Sequence, residues 1–142
     1  RGVALHESFG SIVAMVLEVS VETTDGKPRP RVHRAVVAVD CGTVVNPDGV
    51  AQQVESSVVF GLGAALWGRI DIVDGQVRQK NFPDQPLLAL RDAPLVETHL
   101  VPSTRAPTGM GEPALPPVAP ALANALFTLT GQRLRSLPLA LA

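Results

Sequence analysis

The chain has 142 residues, 46% of them hydrophobic and 18% charged, with a formal net charge of -1. That is one domain's length with enough apolar residues for a sizeable core. There is no basic stretch of the kind that grips nucleic acid, no apolar run near the ~20 residues of a membrane span, and no cysteine framework. The single cysteine, Cys41, rules out an internal disulfide and any cysteine cluster for zinc or iron–sulfur. Arg1 leads directly into a strand-like run, so the sequence reads as a piece of a longer polypeptide, with residues 1–142 as a single domain.

In chain order, "GVALHESFGSIVAMVLEVSVETT" is rich in valine and small residues. It predicts one strand to about Phe9 and a second from Ser11 to Thr23. The Asp-Gly of "DGKPRP" predicts a turn, and "RVHRAVVAVDCG" a third strand of the same antiparallel meander. The uniform apolarity of its second half predicts cover on both faces. Asn46 is a good helix cap and Pro47 a good first helical residue. Val50, Val54, Val58, Leu62 and Ala65 then recur at helical spacing. Gly61 and Gly63 interrupt that helix at a cost of ~1 kcal/mol each against alanine, which predicts something packed closely on their face.

"RIDIVDGQVRQKNF" predicts a hairpin about Asp74-Gly75, "PDQPLLALRDAP" an irregular loop, and "LVETHLVPS" a strand. From about Pro117 to Thr130 the chain is apolar on every side, which predicts a buried helix stopped by Gly131. The whole predicts an α+β fold: antiparallel strands with two substantial helices.

Few groups offer chemistry. His6, His33 and His99 have no metal-ligand spacing, so no metal site is expected. Cys41 ends an apolar strand and reads as a buried structural thiol. No serine lies in a nucleophile elbow, and Gly61-Leu62-Gly63 lacks the residues of a phosphate loop. Glu112 stands out. It lies between Gly111 and Pro113, just before the predicted buried helix, where burial disfavours and the helix dipole favours its charged form. Such a carboxylate suits a general base, though a helix-capping acid fits the same residues. Gln53, early in the first helix, offers amide donors and acceptors to a polar ligand, but on the residues alone it reads more readily as an exposed helix glutamine.

Two stretches together resemble the C-terminal part of the molybdopterin-binding large subunit of the xanthine dehydrogenase / aldehyde oxidase family. They are "VAVDCGTVVNPDGVAQQVESSVVFGLGAAL" and "GMGEPALPPVAPALANALFTLTGQRLRSLPL". "HESFGS" and the "RLRSLPL" ending are most similar to the isoquinoline 1-oxidoreductase beta subunit branch. The resemblance implies part of a molybdenum-cofactor-binding domain from a bacterial oxidoreductase. Such enzymes hydroxylate a carbon of an aldehyde or N-heterocycle with water as the oxygen source. By its place in Gly-Glu-Pro, Glu112 matches the family's general base. Gln53 matches a glutamine that hydrogen-bonds the cofactor, and Gly111 a backbone position close to the metal centre. Ser56 and Gln52 depart from the family pattern, where glycine is common at both places. The implied cofactor is molybdenum–molybdopterin, usually as the cytosine dinucleotide, held by the complete subunit and not by this chain alone. The implied partners are the remainder of the large subunit, a small 2Fe–2S subunit and a cytochrome electron acceptor, in a cytoplasmic or periplasmic setting. The alternative reading is a non-catalytic binding or assembly module that retains the fold.

Overall fold

A computed structural model describes all residues, 1–142. The elements in order are β1 (Gly2–Ser8), β2 (Ser11–Thr24), β3 (Lys27–Asp40), α1 (Pro47–Trp67), β4 (Ile72–Val73), β5 (Gln76–Val77), β6 (Leu95–Leu100) and α2 (Val118–Thr130). Two short 3-10 turns, Phe82–Asp84 and Leu90–Asp92, lie in the loop between β5 and β6.

β1, β2 and β3 form the antiparallel meander expected from their alternation, and β4 and β5 the small hairpin. All three hairpins close on two residues with positive φ: Phe9-Gly10, Asp25-Gly26 and Asp74-Gly75. This is the turn whose twist matches that of the flanking strands. β6 departs from the antiparallel reading. It adds to the far side of β3 and runs parallel to it, with Arg34 opposite Leu95 and Val39 opposite Leu100. A parallel neighbour needs a crossover; α1 and the loop after it supply one.

One face of the sheet is sealed by both helices. Val13, Met15 and Leu17 of β2 and Ala35, Val37 and Val39 of β3 are fully buried there, against Val54, Val58 and Leu62 of α1 and Val118, Leu122 and Leu126 of α2. β1 approaches α2 so closely that a side chain on Gly2 would strike the Ala121 carbonyl at 2.1 Å. The other face carries no helix. β3 is therefore central but covered on one face only, with Val36 and Ala38 half-exposed and Val3, Leu5 and Leu95 60%, 68% and 68% exposed nearby. A ladder of ion pairs crosses that open face from Arg1 through Glu18 and Arg34 to Glu97, whose other carboxylate oxygen lies 3.0 Å from His99 Nε2.

α1 starts as its cap predicts: the Asn46 side chain accepts from the Gly49 N–H at 3.0 Å, with Pro47 first in the helix. Gly61 meets the expectation of close packing, since a Cβ there would lie 2.8 Å from Val118 Cγ2 on α2. Gly63 does not, for nothing lies within 4 Å of its would-be Cβ. α2 ends at Gly131 (φ 74), whose N–H bonds the Phe127 carbonyl. α2 is not buried all round. Val118, Ala121, Leu122, Ala125 and Leu126 face the sheet, while Phe127 and Leu129 are 38% and 48% exposed.

Candidate functional site

The parallel pairing of β6 decides where the chemistry can gather. β3 and β6 both finish at the same edge of the sheet, and the antiparallel register of β2 on β3 brings the Phe9-Gly10 turn to that edge too. Three loops meet there: residues 9–10, 41–46 and 101–112. They are tied together by backbone. Thr43 N–H and its hydroxyl both donate to the Arg105 carbonyl, at 2.9 and 2.8 Å. Thr108 N–H donates to the Cys41 carbonyl at 3.0 Å and Gly109 N–H to the Phe9 carbonyl at 3.1 Å. The buried Ser11 hydroxyl donates to the Gly109 carbonyl at 2.6 Å and lies 2.7 Å from Thr108 Oγ1. Gly42, at φ +72, sits where any side chain would strike the Ala106 carbonyl at 2.1 Å. Only glycine fits both its backbone and its space.

Two charges pin this corner. Asp40 Oδ1 accepts from Arg105 at 2.8 Å and from the Gly42 N–H at 3.2 Å. The Arg105 hydrogen bond, with that of Gly42, holds the carboxyl below its ordinary range. Cys41 beside it is 4% exposed, and burial pushes its thiol up, away from nucleophile behaviour.

The loops and the start of α1 enclose an open groove of about 380 Å³, lined by Cys41, Thr43, Asn46, Gly49, Gln53, Thr108, Met110 and Gly111 among others. Gln53 and Gly111 thus share one groove although 58 residues of sequence separate them. Gln53 is exposed and its amide makes no hydrogen bond within the chain. A side chain on Gly111 would stand in open space.

Glu112 follows directly, and here the sequence expectation needs correction. Glu112 is not at the mouth of α2. Its carbonyl accepts from the Leu115 N–H at 2.9 Å, opening a turn over residues 113–117, and α2 begins only at Val118. Pro113 and Ala114 are buried instead, and the Glu112 side chain is exposed, without a hydrogen bond or ion pair in the chain. The prolines delay the helix because each lacks the N–H that an earlier start would use. Neither helix capping nor burial within this chain therefore accounts for Glu112.

Sequence reasoning missed Ser11, Thr108 and the Asp40–Arg105 pair, which depend on contacts between distant loops. It also missed Ser8, whose buried hydroxyl has no partner. No cluster of three or more His, Cys, Asp or Glu could hold a metal ion.

Residues 5–94 match the model of a family described as a molybdopterin cofactor-binding domain. The chain is 36% identical to the isoquinoline 1-oxidoreductase subunit beta of Brevundimonas diminuta, over 97% of this chain and 17% of that protein. It is 38% identical to a membrane-bound aldehyde dehydrogenase [pyrroloquinoline-quinone] of Gluconacetobacter polyoxogenes, over 75% of this chain and 14% of that one. Its fold is similar to that of the aldehyde oxidoreductase from Desulfovibrio desulfuricans, with a TM-score of 0.75 and 24% identity over 90% of this chain and 14% of that one. Quinoline 2-oxidoreductase from Pseudomonas putida gives 0.71 and 23%, over 82% and 15%. The chain thus spans less than a fifth of the length of these relatives.

Proposed function

Because the chain belongs to the molybdopterin cofactor-binding domain family, we propose that it forms one wall of a molybdenum hydroxylase site in which Glu112 is the general base. The observation that carries this reading is the shared groove of Gln53 and Gly111, with Glu112 the next residue along.

The residues present fit a polar, flat-faced cofactor. Gln53 has an amide with no partner in the chain, and Gly111 leaves open space where a side chain would stand. Gln53 would hold the group by hydrogen bonds, and Gly111 would let it approach the backbone. A molybdenum–molybdopterin group, in its cytosine dinucleotide form, would supply the redox centre at which a carbon of an aldehyde or N-heterocycle is hydroxylated with oxygen from water. Glu112 would accept at its carboxylate the proton lost by the attacking oxygen. For that it must be ionised and sheltered from bulk water, and the shelter must come from the remainder of the large subunit, since this chain provides none. Electrons would leave through a small 2Fe–2S subunit and a cytochrome acceptor.

The rival reading is a binding or assembly module without chemistry. Glu112→Gln in the complete, molybdenum-loaded subunit separates the two. Loss of a general base should lower kcat by about 10²- to 10⁴-fold with molybdenum content unchanged. Unaltered oxidation would leave the module reading standing. Because one relative's name carries pyrroloquinoline quinone, the same preparation should be assayed for both groups. A quinone in place of molybdenum would overturn the cofactor assignment.

A further inference from the structure

The Phe9-Gly10 turn is unlike its two counterparts. Asp25-Gly26 and Asp74-Gly75 carry the dipeptide that suits a two-residue turn with both φ positive, because aspartate tolerates the left-handed region. At Phe9 the same conformation (φ 52) is imposed on a bulky aromatic residue, where it is an outlier with a strain cost. The ring itself repays none of that cost within the chain, since Phe9 is 67% exposed and contributes nothing to the core.

The turn is nevertheless held firmly. Gly109 N–H donates to the Phe9 carbonyl at 3.1 Å, and a side chain at Gly109 would lie 2.8 Å from Phe9 Cβ. Thr108 Cγ2 lies 3.0 Å from the would-be Cβ of Gly10. The same loop, 108–111, continues through the groove wall to Glu112. A strained turn that carries an exposed aromatic ring is thus packed against the loop that presents the candidate base. Strain of this kind, kept against local preference, gathers at ligand-contacting positions.

Resting on the function proposed above, we propose that the Phe9 ring is a wall of the substrate site beside Glu112, selecting flat aromatic or N-heteroaromatic substrates over small aliphatic aldehydes. Ring-on-ring contact rewards the first class and offers little to the second.

The test uses the complete, molybdenum-loaded subunit with its partner and compares Phe9→Asn with Phe9→Tyr. Asparagine suits the turn better than phenylalanine, so Phe9→Asn should melt no lower than the parent and keep its molybdenum. Two unreactive probes, benzamide and acetamide, are titrated calorimetrically, and benzaldehyde and acetaldehyde are compared as substrates. Phe9→Asn should weaken benzamide binding about tenfold, raise KM for benzaldehyde in step, and leave acetamide and acetaldehyde unchanged. Phe9→Tyr, which keeps a ring, should behave as the parent. Unchanged benzamide affinity in a folded, loaded Phe9→Asn subunit overturns the inference, as does an equal loss for both probes. Glu112→Gln, run beside it, should lose turnover while binding benzamide normally. Full turnover in that variant overturns the proposed function, and a benzamide loss confined to Phe9→Asn would not rescue it.

Discussion

Asp40 shows how much of the groove depends on one side chain. It ends β3, and its Oδ1 joins the strand's last residues to the loop carrying Thr108 and Gly111 through Arg105 and the Gly42 N–H. Both partners favour the ionised form, so the folded carboxyl titrates below its unfolded counterpart. A carboxyl lowered in this way binds its proton more readily when unfolded. Its stabilisation is therefore present above roughly pH 4 and fades as the pH falls through the folded value. Asp40→Asn should accordingly be less stable than the parent near pH 7, and the gap should narrow as the pH falls below the ordinary aspartate range. Urea midpoints measured across that range check this. A gap that stays constant down to low pH would show that the carboxylate's charge is not what ties the corner. None of this was legible in the sequence, because Arg105 lies 65 residues away and only the parallel pairing of β6 brings it near. Glu112 and Gln53 were picked out in the sequence by motif. Their surroundings were not, and the exposed Glu112 differs from the sheltered acid its neighbours suggested.

Among the elements, α1 was legible almost to the residue, since Asn46, Pro47 and the spacing from Val50 to Ala65 each act locally. The parallel sense of β6 was not, because six residues of strand look the same in either direction. α2 was misread as wholly buried because its outer residues are apolar as well, and composition cannot say which face meets the sheet. The two glycines of α1 make this difference between local and tertiary signals measurable. Both look alike in sequence, and each forgoes ~1 kcal/mol of helix propensity against alanine. At Gly61 a methyl group would press on Val118 across the helix crossing at 2.8 Å; at Gly63 it would meet nothing. Gly63→Ala should therefore stabilise the chain by up to ~1 kcal/mol. Gly61→Ala should destabilise it by about 1–3 kcal/mol, because overpacking in a close-packed crossing exceeds the propensity gain. Chemical denaturation of the two variants reads both signs at once. Destabilisation at Gly63 would mean that α1 is crowded on its outer side.

At the scale of the molecule, helices cover one face of the sheet while the groove gathers its residues from one side only. Gln53 and Gly111 line it, with Glu112 the next residue along, and all three are exposed. A cofactor of the size the family binds needs contacts from several directions to offset the freedom lost on binding. Here one amide and one open glycine backbone are on offer, with no cluster of metal ligands in the chain. The affinity of such a half-site should be too weak to survive purification. Expressed by itself in a host that makes the cofactor, the chain should carry far less than one molybdenum per molecule. The complete subunit should carry close to one, and Gln53→Ala within it should lower that content without unfolding the protein. Metal analysis by mass spectrometry, paired with circular dichroism, measures both. One molybdenum per molecule in the isolated chain would mean that the groove is already a whole site, and that Glu112 works without shelter from elsewhere.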